Sequence, residues 1–435
     1  MTFFFVSLFI VLVFWRPQEW LVPWLYGVPM LDLVTALALV GFAIEIEGGK
    51  MRFPKESPHL YLLVGLWVAS VMSHVANTYF DGMMATIPLV FKSCLFSALL
   101  LCVLDRTDRL RVLAWLFVGM SAVMAVHAIL QDTRGYGFGW ETPILVRPEG
   151  GEAYTRSFFF GIFGDPNDLA QILVTSIPLC FVLTRRRSFI SVLFGMAVAA
   201  LLVTAIFSTH SRGGMVALAM VAAFMFVLIL PARWLPILLT GLVIGALALC
   251  PLAAGRMDES AHNRVVFWGQ ANWVFKTHPL FGVGATMFSE YIEGDAAAHN
   301  AFVLCYTELG VFGYWFWFAL IQISIIGAWR SRVALSGARD AEQAWLRRFS
   351  GAAIAAIVGY LASSYFLGRA FLYPMYFLFA TLGAIPLVAR KYLPEDAPSL
   401  VRYGSDLFVW CTLGAMLSII YIYASIVLLN KAYYG

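Results

Sequence analysis

The sequence predicts an all-α polytopic membrane protein with about 12 to 13 transmembrane helices. Apolar residues make up 61% of the 435 residues and charged residues only 12%, which is too apolar for a water-soluble chain. The apolar residues fall in runs of about 20, the length that crosses a bilayer as a helix. A soluble enzyme is therefore excluded. The net charge of +4 reflects the distribution of loop residues and implies no nucleic-acid partner.

The predicted spans follow one another along the chain as apolar runs. They lie near 2–15, 29–45, 58–76, 86–104, 110–130, 166–184, 189–208, 213–230, 234–252, 299–329, 350–367, 371–389 and 405–429. The two runs that flank Arg369 predict either two helices or one long broken helix. Near 234–252, Gly241 and Gly245 would let two helices approach closely.

Lysine and arginine set the predicted orientation, because cytoplasmic loops are enriched in both. One set of alternate loops carries the basic clusters Lys50–Lys55, Arg106–Arg111, Arg185–Arg187, Arg330–Arg348 and Arg390–Arg402. The other set is poorer in both residues although it includes the two longest loops, about 131–165 and about 253–298, which are therefore predicted to be exoplasmic. The run Thr2–Trp15 lacks a basic start and a cleavage site, so we expect a retained span. Residues 1–435 are predicted to form a single transmembrane domain.

Four of the arginines on the predicted exoplasmic side are candidate ligands for a phosphate. Arg212 stands in a turn before Gly213 and Gly214, which permit a tight turn or a close approach to a ligand. The others are Arg156, Arg264 and Arg369. Each is either a solvated or headgroup-bound charge or a phosphate ligand, for which the planar guanidinium fork is well suited.

His299 stands at the start of the run near 299–329, followed by Asn300. It is either a helix-start residue bonded to the preceding loop or a general base, since the ordinary histidine pKa of about 6.5 suits proton abstraction near neutrality. Nearby arginines would keep it neutral. Asp165, before Pro166 and Asn167, predicts the N-cap of a helix. The aromatic-rich loop about 253–298 is expected to form one or two amphipathic helices that cover a cavity.

Glu308 and Lys92 are charged residues inside predicted spans, where charge is costly. Helical spacing places Glu308 on the face opposite His299, so the two are not expected to form a catalytic dyad. Lys92 and Glu308 are predicted to form a buried ion pair.

The sequence offers no set of metal ligands. It contains no His-Glu-x-x-His and no phosphate-binding P-loop, so we expect chemistry without a metal or another cofactor. Disulfides are not expected either, because all six cysteines lie inside apolar runs: Cys94, Cys102, Cys180, Cys250, Cys305 and Cys411.

Several short motifs, taken in order, resemble the bacterial O-antigen ligase and O-antigen polymerase superfamily. They are Gly164-Asp165-Pro166-Asn167, Ser211-Arg212-Gly213, Pro279-Leu280-Phe281-Gly282-Val283-Gly284, His299-Asn300 and Glu308-Leu309-Gly310. The resemblance covers roughly residues 150–330. The opening Arg16-Pro17-Gln18-Glu19-Trp20 is similar to the exosortase-associated branch of O-glycosylation ligases.

The resemblance implies a multi-pass glycosyltransferase of the bacterial cytoplasmic (inner) membrane with its active site facing the periplasm. Such enzymes take a glycan from a polyprenyl-pyrophosphate donor and join it, with inversion, to an acceptor hydroxyl on a glycan, lipid or protein. By similarity His299 would be the base, while Arg212 and Arg264, with Arg156 and Arg369, would bind the pyrophosphate.

Two other classes stay open. A transporter or flippase of lipid-linked saccharide would place substrate charges near the midplane between related halves, which this sequence does not indicate. An envelope scaffold that binds lipid carriers would need no base at residue 299.

Overall fold

A computed structural model describes residues 1–147, 151–184, 188–229, 259–292, 297–338 and 340–434. Its thirteen long described helices, α1–α13 in chain order, are Thr2–Trp15, Met30–Glu47, Pro58–Val75, Phe80–Val103, Thr107–Arg134, Pro166–Val182, Phe189–Ser208, Arg212–Ile229, Glu259–Thr277, Ala301–Ala334, Ala341–Ser364, Tyr373–Arg390 and Cys411–Tyr434. Short helices occupy Pro17–Trp20 and Phe288–Tyr291, and a π-helical segment, Tyr403–Trp410, leads into α13. Two strands, β1 (Ile144–Val146) and β2 (Tyr154–Arg156), pair antiparallel.

The prediction of an all-α polytopic membrane protein is confirmed. Seven of the described helices are long and apolar enough to cross a membrane, and three shorter apolar helices accompany them. Every predicted span except that near 234–252 corresponds to a described helix. That span, with Gly241 and Gly245, lies outside the described residues. The runs flanking Arg369 form two separate helices, since α11 ends at Ser364 and α12 begins at Tyr373.

The core lies around α12, in which 83% of the residues are buried. Helix α10 packs against α3, α11, α12 and α13, while α11 packs against α6 and α8. Large apolar side chains also face outward, such as Phe189 and Ile190, which are 80% and 79% exposed. In a soluble protein such a surface would aggregate, whereas lipid tails cover it in a membrane.

The connecting segments gather at two ends of the bundle. At one end, which we call the His299 end, lie 157–165, 208–212, 297–300 and 365–372. The Ser157 amide donates to the Ser208 carbonyl at 3.0 Å, and Gly368 packs against His299. At the opposite end, Thr107 and Tyr392 both donate to a carboxylate oxygen of Glu342. The two sets of loops predicted from the basic residues are thus physically separate.

Helix α10 is interrupted at Gly310, whose φ of 62° and ψ of −168° are not helical. The segment 279–284 fills this break by bonding to the backbone groups that the helix leaves unpaired. Its four bonds are Val311 N to Pro279 O (2.8 Å), Phe312 N to Leu280 O (3.0 Å), Val283 N to Thr307 O (3.2 Å) and Gly284 N to Glu308 O (3.0 Å).

Glycine is required on both sides of this contact. A Cβ on Gly282 would lie 2.3 Å from the Glu308 carbonyl carbon, and one on Gly310 would lie 2.4 Å from the Leu280 carbonyl carbon. Both also have positive φ. The Pro-Leu-x-Gly-x-Gly and Glu-x-Gly motifs are therefore the two sides of one backbone contact, which we call the glycine clamp. It fixes the segment before His299 to α10.

Candidate active site

A cavity of about 450 Å³ opens at the His299 end. Four charged or titratable side chains line it, together with apolar and small polar residues: Asp165, His299, Glu308 and Arg369. This volume lies within the range of about 300–1,000 Å³ that is typical of small-ligand sites. The structure thus brings together residues that are far apart in the sequence.

His299 is held at the cavity wall by the start of α10. It precedes the helix with a left-handed backbone, φ 46°. The side chain of Asn300 caps the helix and accepts hydrogen bonds from the amides of Phe302 (2.9 Å) and Val303 (3.2 Å). The Asn300 cap fixes the backbone at the start of α10, and this sets the direction of the His299 side chain.

The surroundings of His299 favour its neutral form. Partial burial lowers its pKa below the ordinary value, and the positive charges of Arg264 and Arg369 lower it further, while the carboxylate of Asp165 opposes the shift. A neutral imidazole retains a lone pair that can accept a proton. The expectation that nearby arginines keep this histidine neutral agrees with this arrangement.

Arg369 forms a bidentate pair with Asp168 across the cavity wall. Its Nε donates to both carboxylate oxygens, at 2.9 and 3.1 Å, and its Nη2 donates to Oδ2 at 2.7 Å. Burial alone would lower the pKa of Arg369, but its hydrogen bonds with Asp168 raise that pKa above its ordinary value. Sequence reasoning missed Asp168. Its only local signal is its place in the first turn of α6, one helical turn after the cap.

Asp165 confirms the predicted N-cap, since its Oδ1 accepts from the Asn167 amide at 2.7 Å with Pro166 in the first turn of α6. Asn167 in turn accepts from Arg156 Nη2 (3.1 Å) and Ser211 Oγ (2.7 Å). Arg156 also donates from Nε to the Thr209 carbonyl at 3.0 Å. These bonds fix the turn that carries Arg212.

The other two predicted arginines lie at the same end. Arg212 is exposed and begins α8, next to Gly213, which packs against Phe366 of the 365–372 segment. Arg264 lies on α9, and its charge acts on His299. Of the four arginines, the cavity lining itself includes Arg369.

The helix predicted in the long loop exists as α9, and it is joined to the site. Trp268 donates its indole N–H to the Ala298 carbonyl at 2.7 Å, directly before His299. Val265, Trp268 and Ala271 are buried along one face, and α9 packs against α10 and α13. This packing holds Arg264 close to the histidine.

The predicted ion pair between Lys92 and Glu308 is wrong. Lys92 donates to Asp32 Oδ1 at 2.7 Å on a largely exposed surface. Glu308 is 1% exposed, and its two oxygens accept from the backbone amides of Thr286 (2.8 Å) and Phe288 (3.0 Å). Each oxygen of this buried side chain therefore has a backbone partner, and Lys92 is not one of its partners.

Helical spacing predicted Glu308 on the face opposite His299, but both residues line the same cavity. His299 lies before the helix with a left-handed backbone, so helical spacing does not relate the two residues. Since the oxygens of Glu308 bond to Thr286 and Phe288, its role is to hold the segment 286–288 against the cavity.

Within the part of the chain that the structure describes, no three His, Cys, Asp or Glu side chains form a group that could hold a metal ion. The five described cysteines are buried free thiols. Cys250 lies outside the described residues.

Comparison with protein families gives an O-antigen ligase model that matches residues 197–318. None of the curated proteins compared matches the chain. The matched range contains Arg212, Arg264, the glycine clamp and His299. The similarity of Arg16–Trp20 to the exosortase-associated branch stays a prediction. The match confirms the resemblance to the O-antigen ligase superfamily, and over residues 197–318 the chain is similar to that family.

Proposed function

We propose that this protein transfers a glycan from a polyprenyl-pyrophosphate donor to an acceptor hydroxyl on the exoplasmic side of the bacterial cytoplasmic membrane. The family supports a membrane ligase that acts on a lipid-linked glycan and an acceptor. The proposal adds the donor, the side of the membrane and a mechanism without metal or cofactor. The acceptor hydroxyl belongs to a glycan, a lipid or a protein.

One observation carries the proposal. His299 and Arg369 line the same cavity, and the positive charge of Arg264 helps to lower the pKa of His299. In the proposed step, His299 takes the proton of the acceptor hydroxyl as its oxygen bonds to the anomeric carbon. The bond from that carbon to the pyrophosphate oxygen breaks, and its electron pair leaves with the polyprenyl pyrophosphate. A single displacement of this kind inverts the configuration.

The arginines would stabilise the leaving group, which gains negative charge as the bond breaks. Arg212 and Arg264 are proposed as the main pyrophosphate ligands. Arg369 adds charge at the cavity wall while its fork remains on Asp168, and Arg156 holds the turn before Arg212 through Asn167.

The loop distribution supports the proposed side. The segments about 131–165 and about 253–298 belong to the loops poor in lysine and arginine, and both contribute to the cavity, through Asp165 and through Thr286, Phe288 and Ser289. We infer that residues 253–298 cap the active site of a single transmembrane domain.

The proposal is tested with the purified full chain in lipid nanodiscs, a polyprenyl-pyrophosphate-linked oligosaccharide and candidate acceptors. Wild type should modify an acceptor covalently and release polyprenyl pyrophosphate. His299→Ala should lower the rate about 100- to 10,000-fold while donor binding is retained. His278→Ala is the matched control, because this histidine lies in the same long loop outside the cavity lining, and it should keep the rate.

Sealed vesicles separate the enzyme from a flippase. Donor movement across the bilayer without acceptor modification would refute the proposal, as would full transfer activity in His299→Ala.

A further inference from the structure

A second cavity, of about 420 Å³, lies beside the first. Its wall contains three residues of the Arg16–Trp20 motif, for which the proposed reaction gives no role: Arg16, Gln18 and Glu19. Asp32 and Lys92, from α2 and α4, complete its charged lining, and Tyr26 and Tyr373 supply aromatic rings.

The two cavities are neighbours along α4. Leu89 lines the first, while Lys92 and Phe96 line the second. These residues are spaced three and four apart, so they share one face of the helix. Likewise, Leu372 lines the first cavity and the next residue, Tyr373, lines the second. A ligand in one cavity is therefore close to a ligand in the other.

The loop before α6 also links them. A Cβ on Gly161 would lie 2.7 Å from Arg16 Nε, so this glycine packs directly on the arginine. Asp165, at the end of the same loop, lines the first cavity.

The charges of the second cavity are paired. Arg16 Nε donates to Glu19 Oε1 at 2.7 Å, and Lys92 donates to Asp32 Oδ1 at 2.7 Å. Two cations and two carboxylates leave no net charge in this lining. Unlike the arginine-rich surroundings of His299, the second cavity does not favour an anion, so a polar ligand without net charge fits it best.

Its lining leaves several hydrogen-bond acceptors unused. Among the described residues, the second oxygens of Glu19 and Asp32 accept no hydrogen bond, and neither does the buried Oε1 of Gln18. Tyr26, at 76% exposed, presents its ring to the same space. Acceptors beside an aromatic ring match a pyranose, which has donating hydroxyls on its edge and apolar C–H groups on its faces.

We propose that this second cavity binds uncharged sugar residues of a glycan, either the donor's distal sugars or those of the acceptor. The site rests on the proposed function, since it places a glycan next to the reacting groups.

Binding without turnover tests it. Short neutral pyranose oligosaccharides are titrated against the full chain in nanodiscs and followed by saturation-transfer NMR. Asp32→Asn and Tyr26→Ala should each weaken binding about five- to tenfold. Asp108→Asn is the matched control, since Asp108 is also an exposed, paired carboxylate, with Arg111 at the opposite end, and it should bind as wild type.

Two further arms identify the source of the sugar. Weaker binding of a polyprenyl-pyrophosphate oligosaccharide, with unchanged binding of polyprenyl pyrophosphate alone, assigns the site to the donor. A raised KM for the acceptor at unchanged kcat assigns it to the acceptor.

His299→Ala should retain oligosaccharide binding. If the wild-type protein binds oligosaccharide through Asp32 and Tyr26 but shows no transfer activity, the proposed reaction is refuted and the saccharide site is not. The saccharide site is overturned if wild type binds no oligosaccharide, or if the cavity variants bind as tightly as Asp108→Asn.

Discussion

The two ends of α10 lie near two arginine–aspartate pairs of similar geometry and different surroundings. Near its start, Arg369 donates to both carboxylate oxygens of Asp168. Near its end, Arg330 donates from Nη2 to Asp406 Oδ1 at 2.8 Å and from Nη1 to Oδ2. Both aspartate side chains are buried, 5% and 0% exposed, and both arginines are partly open, 41% and 35%. The geometry of the pair alone does not distinguish a structural from a functional role.

The neighbouring groups make the distinction. Asp406 also accepts from the Arg402 amide at 2.7 Å, and Arg330 reaches the Leu400 carbonyl, so this pair closes the turn that leads into the π-helical segment. The Arg369 pair adjoins the cavity and affects the ionisation of His299. We therefore expect both arginine–aspartate pairs to stabilise the fold, but only the Arg369 pair to affect glycan transfer.

The largest expected effect tests that difference directly. Arg369→Gln and Arg330→Gln each leave a buried carboxylate without its cation, which should lower the free energy of unfolding by roughly 2–3 kcal/mol in each variant after allowance for the partly exposed guanidinium. Only Arg369→Gln should also lower the transfer rate of the folded fraction, by about 100-fold. Thermal unfolding in detergent measures the first quantity and nanodisc transfer assays the second. Equal losses of rate in both variants would contradict the comparison.

The glycine clamp lies on α10 between the two ends. Gly310→Ala and Gly282→Ala force a Cβ into opposing backbone at a positive φ, so each should cost about 2 kcal/mol or more in the free energy of unfolding. Gly337→Ala, near the end of α10 with nothing within 4 Å of the added Cβ, is the matched control and should change stability by less than about 0.5 kcal/mol. A neutral Gly310→Ala would show that the break is not required.

Local sequence predicted the parts of the site that depend on local physics. The apolar runs predicted the helices because each span must bury its own backbone in lipid. Asp165 followed by Pro166 predicted a helix start because an N-cap is decided within four residues. The Arg369–Asp168 pair joins residues far apart in the chain, so neither residue signals the other.

Glu308 shows why the remaining contacts were not predictable. A charged residue in an apolar run predicts a partner, and Lys92 was the available side chain. The actual partners are backbone amides, exposed by the turn at Thr286, and any residue type can supply an amide. The sequence signalled only the neighbouring glycine clamp, because its backbone contact leaves room for no residue other than glycine.

A smaller effect concerns pH. Because the pKa of His299 lies below its ordinary value, its base form persists below pH of about 6.5, and transfer should fall only as the pH drops through the lowered pKa. Arg264→Gln removes a positive charge and should move this acid limb to higher pH. Asp165→Asn removes a negative charge and should move it to lower pH. Profiles of kcat/KM against pH measure both shifts, and shifts of the same sign would refute this assignment.

The smallest effect comes from Lys92, whose pair with Asp32 is the exposed counterpart of the two buried arginine pairs. Its two side chains are 48% and 61% exposed and line the open second cavity, where solvent would weaken their attraction. A double-mutant cycle of Lys92→Ala and Asp32→Asn should give a coupling energy below about 1 kcal/mol. A cycle of Lys92→Ala with Glu308→Gln should give none, because the carboxylate of Glu308 is bonded to backbone amides that Lys92 does not touch. Coupling between Lys92 and Glu308 larger than that between Lys92 and Asp32 would mean that exposure fails to rank the ion pairs of this bundle, and the comparison of its two ends would lose its physical basis.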